Sequence, residues 1–270
     1  MTEAAGLSRF ASFDGREIAY LDTGGAPGAP LALLLHGFAS THHDTWVEPG
    51  TVDALAAIGR RVIAWDARGH GASARPHEVE AYTGDAMVRD ATALLDHLGV
   101  AEPRTVDVVG YSMGSVVSTR WVPGDERVRS LVLGGVGVHI ADGSREAIKG
   151  RLAKYLAADD PSTIRNGFLR SMRIDFEARG NDCKALAALD AASQDDPMPE
   201  HLTALGALPV LVLTGADDSL VGSPHELADR IPGAQARTVP GDHPEAMKHP
   251  EFPAAVVEFV TTSPSEVPAP

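Results

Sequence analysis

Short apolar, β-branched runs recur along the chain: REIAYLD from Arg16, LALLLHG from Leu31, RVIAWD from Arg61, TVDVVGYS from Thr105, RSLVLGG from Arg129 and PVLVLTG from Pro209. Helix-patterned stretches separate them, and that alternation predicts a mostly parallel sheet covered by helices. Between Thr83 and Leu98, the residues Met87, Ala91, Leu94, Leu95 and Leu98 fall at three- and four-residue steps. Such a stripe marks a surface helix whose apolar face lies on the sheet. After LVLGGVG the rhythm changes. Residues 138–205 carry SREAIKGRLAKYLAA, PSTIRNGFLRSMRIDFEA and DCKALAALDAAS, with no strand pattern among them. Ser144 and Pro161 stand where a helix start takes a cap or a first-turn proline. The expected organisation is a sheet-bearing core (1–137 and 206–262), a helical insertion (138–205) and a frayed tail (263–270) rich in proline and small residues.

A chain of 270 residues accommodates this as one α/β unit with an insertion, and there is no internal repeat. Hydrophobic residues make up 44% and charged residues 22%, with no window near the ~18 uninterrupted apolar residues of a membrane span. The opening MTEAAGLSRFASFDG has neither the basic segment nor the apolar block of a secretory signal, so the expectation is a cytoplasmic protein. A formal charge of −14 repels phosphate backbones and anionic lipid at long range, which argues against nucleic-acid and membrane partners. The single cysteine, Cys183, excludes an internal disulfide and a multi-cysteine metal cluster and reads as a packed thiol.

The chemistry concentrates in four places. Gly110-Tyr111-Ser112-Met113-Gly114 follows a strand pattern and opens a helical one, the context a G-x-S-x-G turn requires. Glycines on either side let the chain reverse sharply and lift the serine hydroxyl above the sheet edge. A serine needs a base, and the base needs a third group to steer it. His243 lies on a glycine-containing loop between the last strand-like run and the last amphipathic helix. The acid belongs to GADDSLV, where Asp217 and Asp218 are both placed to serve. Two backbone amides suffice for an oxyanion: Met113, next after the serine, and Phe38, where Gly37 permits a turn at the end of LALLLHGF. His36, at the end of a buried strand, reads as a pin for that loop.

Five stretches, LLLHGF at 33–38, AWDARGHGAS at 64–73, VVGYSMGS at 108–115, LVLTGADDSLV at 211–221 and PGDHPEAMKHPEF at 240–252, together resemble the α/β-hydrolase superfamily over about residues 10–262. The resemblance implies an eight-stranded, mainly parallel sheet and a triad of Ser112, Asp218 and His243, which selects Asp218 over Asp217. It implies an oxyanion hole from the amides of Phe38 and Met113, and a helical cap over the pocket. Asp66, Arg68, His70 and Ser73 then belong to a loop-ordering element. His42 and His43 read as rim or solvated loop, and neither a metal nor a cofactor is expected. Ser115 stands where the family often has glycine. The serine nucleophile excludes the aspartate-nucleophile branches of dehalogenases and epoxide hydrolases.

The cap pattern offers Tyr155, Phe168, Leu169, Met172, Ile174 and Phe176, of which Phe168, Met172 and Phe176 are the expected wall of an apolar substrate pocket. Arg170 and Arg173 flank them and read as solvated. The expected activity is cleavage of a carboxylic ester of a small to medium apolar substrate through an acyl-enzyme. The alternatives are hydrolysis of a carbon-carbon bond in a diketone or dienoic acid, and a triad-retaining ligand receptor or cyclase-like protein. The sequence leaves the oligomeric state open.

Overall fold

The computed structural model describes residues 6–26, 28–144, 149–192 and 197–263. Eight strands form one sheet: β1 (Ser8–Ala11), β2 (Glu17–Asp22), β3 (Leu31–Leu35), β4 (Arg61–Trp65), β5 (Val106–Tyr111), β6 (Val128–Gly134), β7 (Val210–Gly215) and β8 (Gln235–Val239). Their order is β1-β2-β4-β3-β5-β6-β7-β8. β1 with β2 and β2 with β4 are antiparallel, and every later pair is parallel. This is the expected eight-stranded, mostly parallel sheet. β1 has no counterpart among the apolar runs: it is four residues long with only Phe10 buried, too short for alternation to register.

The central strands β3, β5, β6 and β7 are buried at every position, as strands covered on both faces must be. Alternate residues serve opposite cores. Leu33, Leu35, Val106, Val108, Leu131 and Leu133 pack on one face with α2 (Ala86–His97) and α3 (Met113–Trp121). Leu34, Val109, Val132, Leu211 and Leu213 pack on the other with α1 (Thr51–Ala57) and α9 (Glu251–Thr262). The Thr83–Leu98 stripe appears as α2, with Met87, Ala91, Leu94 and Leu95 buried.

Between β6 and β7 the described residues hold α4 (Ala153–Leu156), α5 (Gly167–Ala178), α6 (Cys183–Ala191) and α7 (Pro199–Leu205) and no strand. The details differ from the sequence pattern. Pro161 opens a single 3-10 turn (Pro161–Thr163), with the Asp160 side chain accepting from the Ser162 amide. The long helix starts later, where Asn166 accepts from the Leu169 amide. Asparagine is among the strongest caps, and it outcompetes a proline five residues upstream. Asp182 caps α6 in the same way. Of the stretch from Ser144 that is expected to be helical, residues 145–148 lie outside the described residues and the rest holds only the short α4; the tail beyond Ser263 lies wholly outside them. α8 (Pro224–Ala228) follows β7, and no helix among the described residues is long and apolar enough to cross a membrane.

Candidate active site

Ser112 sits at the carboxyl end of β5, at the switch into α3, with φ 51° and ψ −111°. A side chain in this region is strained and persists only when its surroundings enforce it. The flanking glycines supply the enforcement. A Cβ on Gly114 would lie 2.0 Å from the Leu35 carbonyl oxygen, and one on Gly110 2.6 Å from the Ser115 amide nitrogen. Neither contact is tolerable, so only glycine lets β5, the turn and α3 come this close. The Ser112 amide donates to the Gly134 carbonyl at 2.8 Å, and the Ser115 hydroxyl donates to the same carbonyl at 2.8 Å. Serine at 115 thus braces the turn instead of merely tolerating it.

His243 Nε2 lies 3.0 Å from Ser112 Oγ, and its Nδ1 lies 2.7 Å from Asp218 Oδ2. A carboxylate can only accept, so Nδ1 carries the proton and Nε2 is left to accept from the serine. The Asp218 side chain is fully enclosed, whereas 23% of the His243 side chain is exposed. Asp218 Oδ1 accepts from the Leu220 amide at 3.1 Å. Asp217 is exposed, and its amide donates to the Gly241 carbonyl; of the two adjacent aspartates, Asp218 is the one beside the histidine. Two loops are locked together here, because a Cβ on Gly215 would meet the Gly241 carbonyl at 2.2 Å. Tyr111 was given no role from sequence, yet its hydroxyl donates to the His243 carbonyl at 2.5 Å and its ring lies 5.6 Å from the imidazole. Burial pushes the Tyr111 hydroxyl up, in keeping with its role as a donor.

The loop after β3 lies against the serine: a Cβ on Gly37 would stand 3.4 Å from Ser112 Cβ. Buried His36 accepts from the Ala67 amide at Nε2 (2.9 Å), which leaves the Nδ1 proton to donate to the Gly37 carbonyl at 2.7 Å. In a trans peptide that carbonyl and the Phe38 N–H point opposite ways, so His36 fixes the direction of the Phe38 amide. His70 accepts from the Ala39 amide at 3.1 Å and bonds the Arg68 carbonyl through Nδ1 at 3.1 Å. Burial lowers the His36 imidazole and holds His70 at about 3; both are neutral pins. Met113 is the first residue of α3, and first-turn amides have no intrahelical acceptor.

The loop-ordering residues are accounted for. Asp66 accepts from the His42 amide and ring at Oδ1 and from the Ala72 amide at Oδ2. Burial pushes its carboxyl up, but the hydrogen bonds from His42 and from the Ala72 amide pull it down, and it lies below the usual range. Arg68 grips Asp90 through two bonds of 2.6 Å, and Ser73 donates to the Asp66 carbonyl.

The expected pocket wall is only partly assembled. Phe176 of α5 meets Phe38 edge-on at 6.2 Å and packs with Leu156, Leu186 and Ala39. Met172 is half-buried. Phe168 is not an enclosed wall: it is 76% exposed, one residue into a helix whose buried side begins further along. Arg173 is buried, its Nε donating to the Leu156 carbonyl and its Nη1 to Glu177, so it is spent inside the helical segment. Burial raises the Cys183 thiol. Among the described residues, His43, Asp44 and Glu48 are the one group whose ligand atoms come within 4.8 Å of one another, on an exposed rim. A cavity of about 190 Å³ opens between the start of α2, Val117 and Arg120 of α3, and Ala192; its walls include none of Ser112, Asp218 and His243. The hydrogen-bonded side chains, not that cavity, mark the site.

A family model described as alpha/beta hydrolase fold matches residues 30–172. The chain is 33% identical over 246 residues to the dihydrolipoyllysine-residue acetyltransferase component of an acetoin cleaving system from Pseudomonas putida. That match covers 85% of this chain but 62% of the relative, so the chain spans about three fifths of its length. A solved hydrolase from Pseudomonas aeruginosa PA01 superposes with a TM-score of 0.74 at 29% identity, covering 96% of this chain and 99% of that one. A thermophilic esterase from Thermogutta terrifontis superposes with a TM-score of 0.73 at 26% identity, covering 95% and 98%.

Proposed function

This chain belongs to the alpha/beta hydrolase fold family, and from that premise we propose that it is a serine hydrolase cleaving a carboxylic ester of a small to medium apolar substrate. One observation carries the reading: an enclosed carboxylate, an imidazole and a serine hydroxyl on a strained turn are joined by bonds of 2.7 and 3.0 Å. His243 removes the Ser112 proton as Oγ attacks the ester carbonyl. Asp218 holds the ring in the tautomer that leaves Nε2 free and supports the imidazolium that forms. The tetrahedral oxyanion is taken up by the amides of Phe38 and Met113. His243 then returns the proton to the departing alkoxide. Water, deprotonated by the same ring, attacks the acyl-serine and releases the acid, and Oγ regains its proton.

The segment 138–205 serves as the cap, with Phe176 and Phe38 presenting aromatic surface to the substrate. The solved esterase of similar fold supports an ester as the bond broken. A panel of p-nitrophenyl esters of increasing chain length, run beside vinylogous diketones, tests the reading. Ester hydrolysis that is absent in Ser112→Ala is the expected result. Turnover confined to the diketones would replace esterase by carbon-carbon hydrolase, and turnover of neither would favour a receptor or cyclase-like role.

A further inference from the structure

Ala39 is one of few described non-glycine residues with positive φ, at 55°. The left-handed region is strained for an alanine, and the chain accepts that strain next to the residue whose amide is the proposed oxyanion donor. Both polar groups of Ala39 are held from outside the loop. Its amide donates to His70 Nε2 at 3.1 Å. Its carbonyl accepts from the side-chain amide of Asn181 at 3.2 Å, and the same Asn181 nitrogen donates to the Phe176 carbonyl at 3.2 Å. Both partners are carbonyl oxygens, so the nitrogen of the Asn181 amide must be the atom that faces them.

His70 belongs to the sheet-bearing core, whereas Asn181 belongs to the helical segment, just past α5. Its placement there is set by the way α5 ends. The Gly180 amide donates to the Glu177 carbonyl and the Asn181 amide to the Phe176 carbonyl, with Gly180 at φ 83°. Those paired bonds over a left-handed glycine are a Schellman stop. Further ties seat the corner: His77 Nε2 lies 2.9 Å from Asp182 Oδ2, Arg75 reaches the Gly180 carbonyl at 3.4 Å, and Phe176 lies edge-on to Phe38.

We propose that Asn181 is a positioning residue for the oxyanion hole: by gripping the Ala39 carbonyl from the helical segment, it completes the restraint on the loop that aims the Phe38 amide. The inference rests on Ser112 being the nucleophile. It gives the helical segment a second task beyond covering substrate, because the oxyanion donor is aligned only while the α5–α6 corner is seated. Displacement of a donor by a fraction of an ångström weakens binding of the transition state more than that of the substrate.

The test compares Asn181→Ala and Asn181→Asp with wild type for kcat, KM, melting temperature and the inhibition constant of a trifluoromethyl ketone, which forms an oxyanion adduct with a nucleophilic serine. Asn181→Ala is expected to lower kcat and weaken the trifluoromethyl ketone in parallel, by about tenfold, with KM held within about twofold, as loss of a transition-state interaction requires. Asn181→Asp keeps the side chain's size but removes the donor to Ala39, and should lose more. If Asn181→Ala melts early, Asn181→Asp carries the same readout. Wild-type kcat and ketone affinity, or a rise in KM alone, would overturn the proposal. Failure of the serine reading itself would appear differently, as full ester turnover in Ser112→Ala.

Discussion

Two aspartates with fully enclosed side chains stand at opposite ends of the sheet. Asp107, near the start of β5, accepts three bonds of 2.6 to 2.9 Å from Arg129 and one of 2.6 Å from Ser130. Arg60 Nε lies 2.9 Å away as an ion pair, though off the line of a hydrogen bond. Arg129 also reaches the Val260 carbonyl of α9 at 2.8 Å. Asp218, after the carboxyl end of β7, has one imidazole and one backbone amide. The carboxylates are alike in burial and differ in their partners. Guanidinium never gives up its proton, so Asp107 can only fasten β5, β6 and α9 together. Imidazole exchanges its proton near neutral pH, so Asp218 can steer a proton transfer at a strained serine.

That contrast can be broken by exchanging the consequences. Asp218→Asn should lower kcat by about four orders of magnitude with a melting temperature near wild type, while Asp217→Asn stays within about twofold because its side chain faces solvent. Asp107→Asn should do the reverse, costing about 3–5 kcal/mol in urea unfolding by leaving the Arg129 charge unmatched, with kcat per folded molecule unchanged. A catalytic loss in Asp107→Asn, or a stability loss in Asp218→Asn as large as that of Asp107→Asn, would collapse the distinction. Tyr111→Phe sharpens it. Removing one buried hydroxyl that holds His243 should lower kcat about tenfold while the unfolding midpoint shifts little, since a net hydrogen bond is worth about 1 kcal/mol.

The last prediction is a pH dependence. His70 is held at about 3 in the folded chain against 6.5 when free. As pH falls below about 6.5 the unfolded chain takes up this proton first, so stability declines until about pH 3, where the folded chain binds it too. Asp66, lowered from 3.8, adds a loss that begins as pH drops below that value. Urea midpoints at pH 7.5 and 4.5 should therefore differ less in His70→Gln than in wild type.

The central strands and α2 were legible because a two-sided sheet demands unbroken apolar runs and a surface helix demands a stripe. The tight turn at Ser112 was legible because the glycines around it answer to backbone contacts that a Cβ would violate. The helical segment was harder: Pro161 and Asn166 are both good helix starters, and the start is decided by the bond that the Asn166 side chain makes with the Leu169 amide. Phe168 shows the same limit, since an apolar residue on a helix does not declare which side it faces. Tyr111 and Asn181 were invisible as positioning groups, because each acts on a backbone carbonyl more than a hundred residues away, and such partners leave no spacing to read. Asp217 and Asp218 were distinguished by resemblance alone until burial separated them.

The most direct test of Ser112 as nucleophile is the intact mass of the protein after reaction with a fluorophosphonate. The account predicts one phosphonyl adduct per chain on wild type, mapped to the peptide bearing Ser112, and none on Ser112→Ala. An unlabelled, folded wild type, or equal labelling of Ser112→Ala, would contradict it.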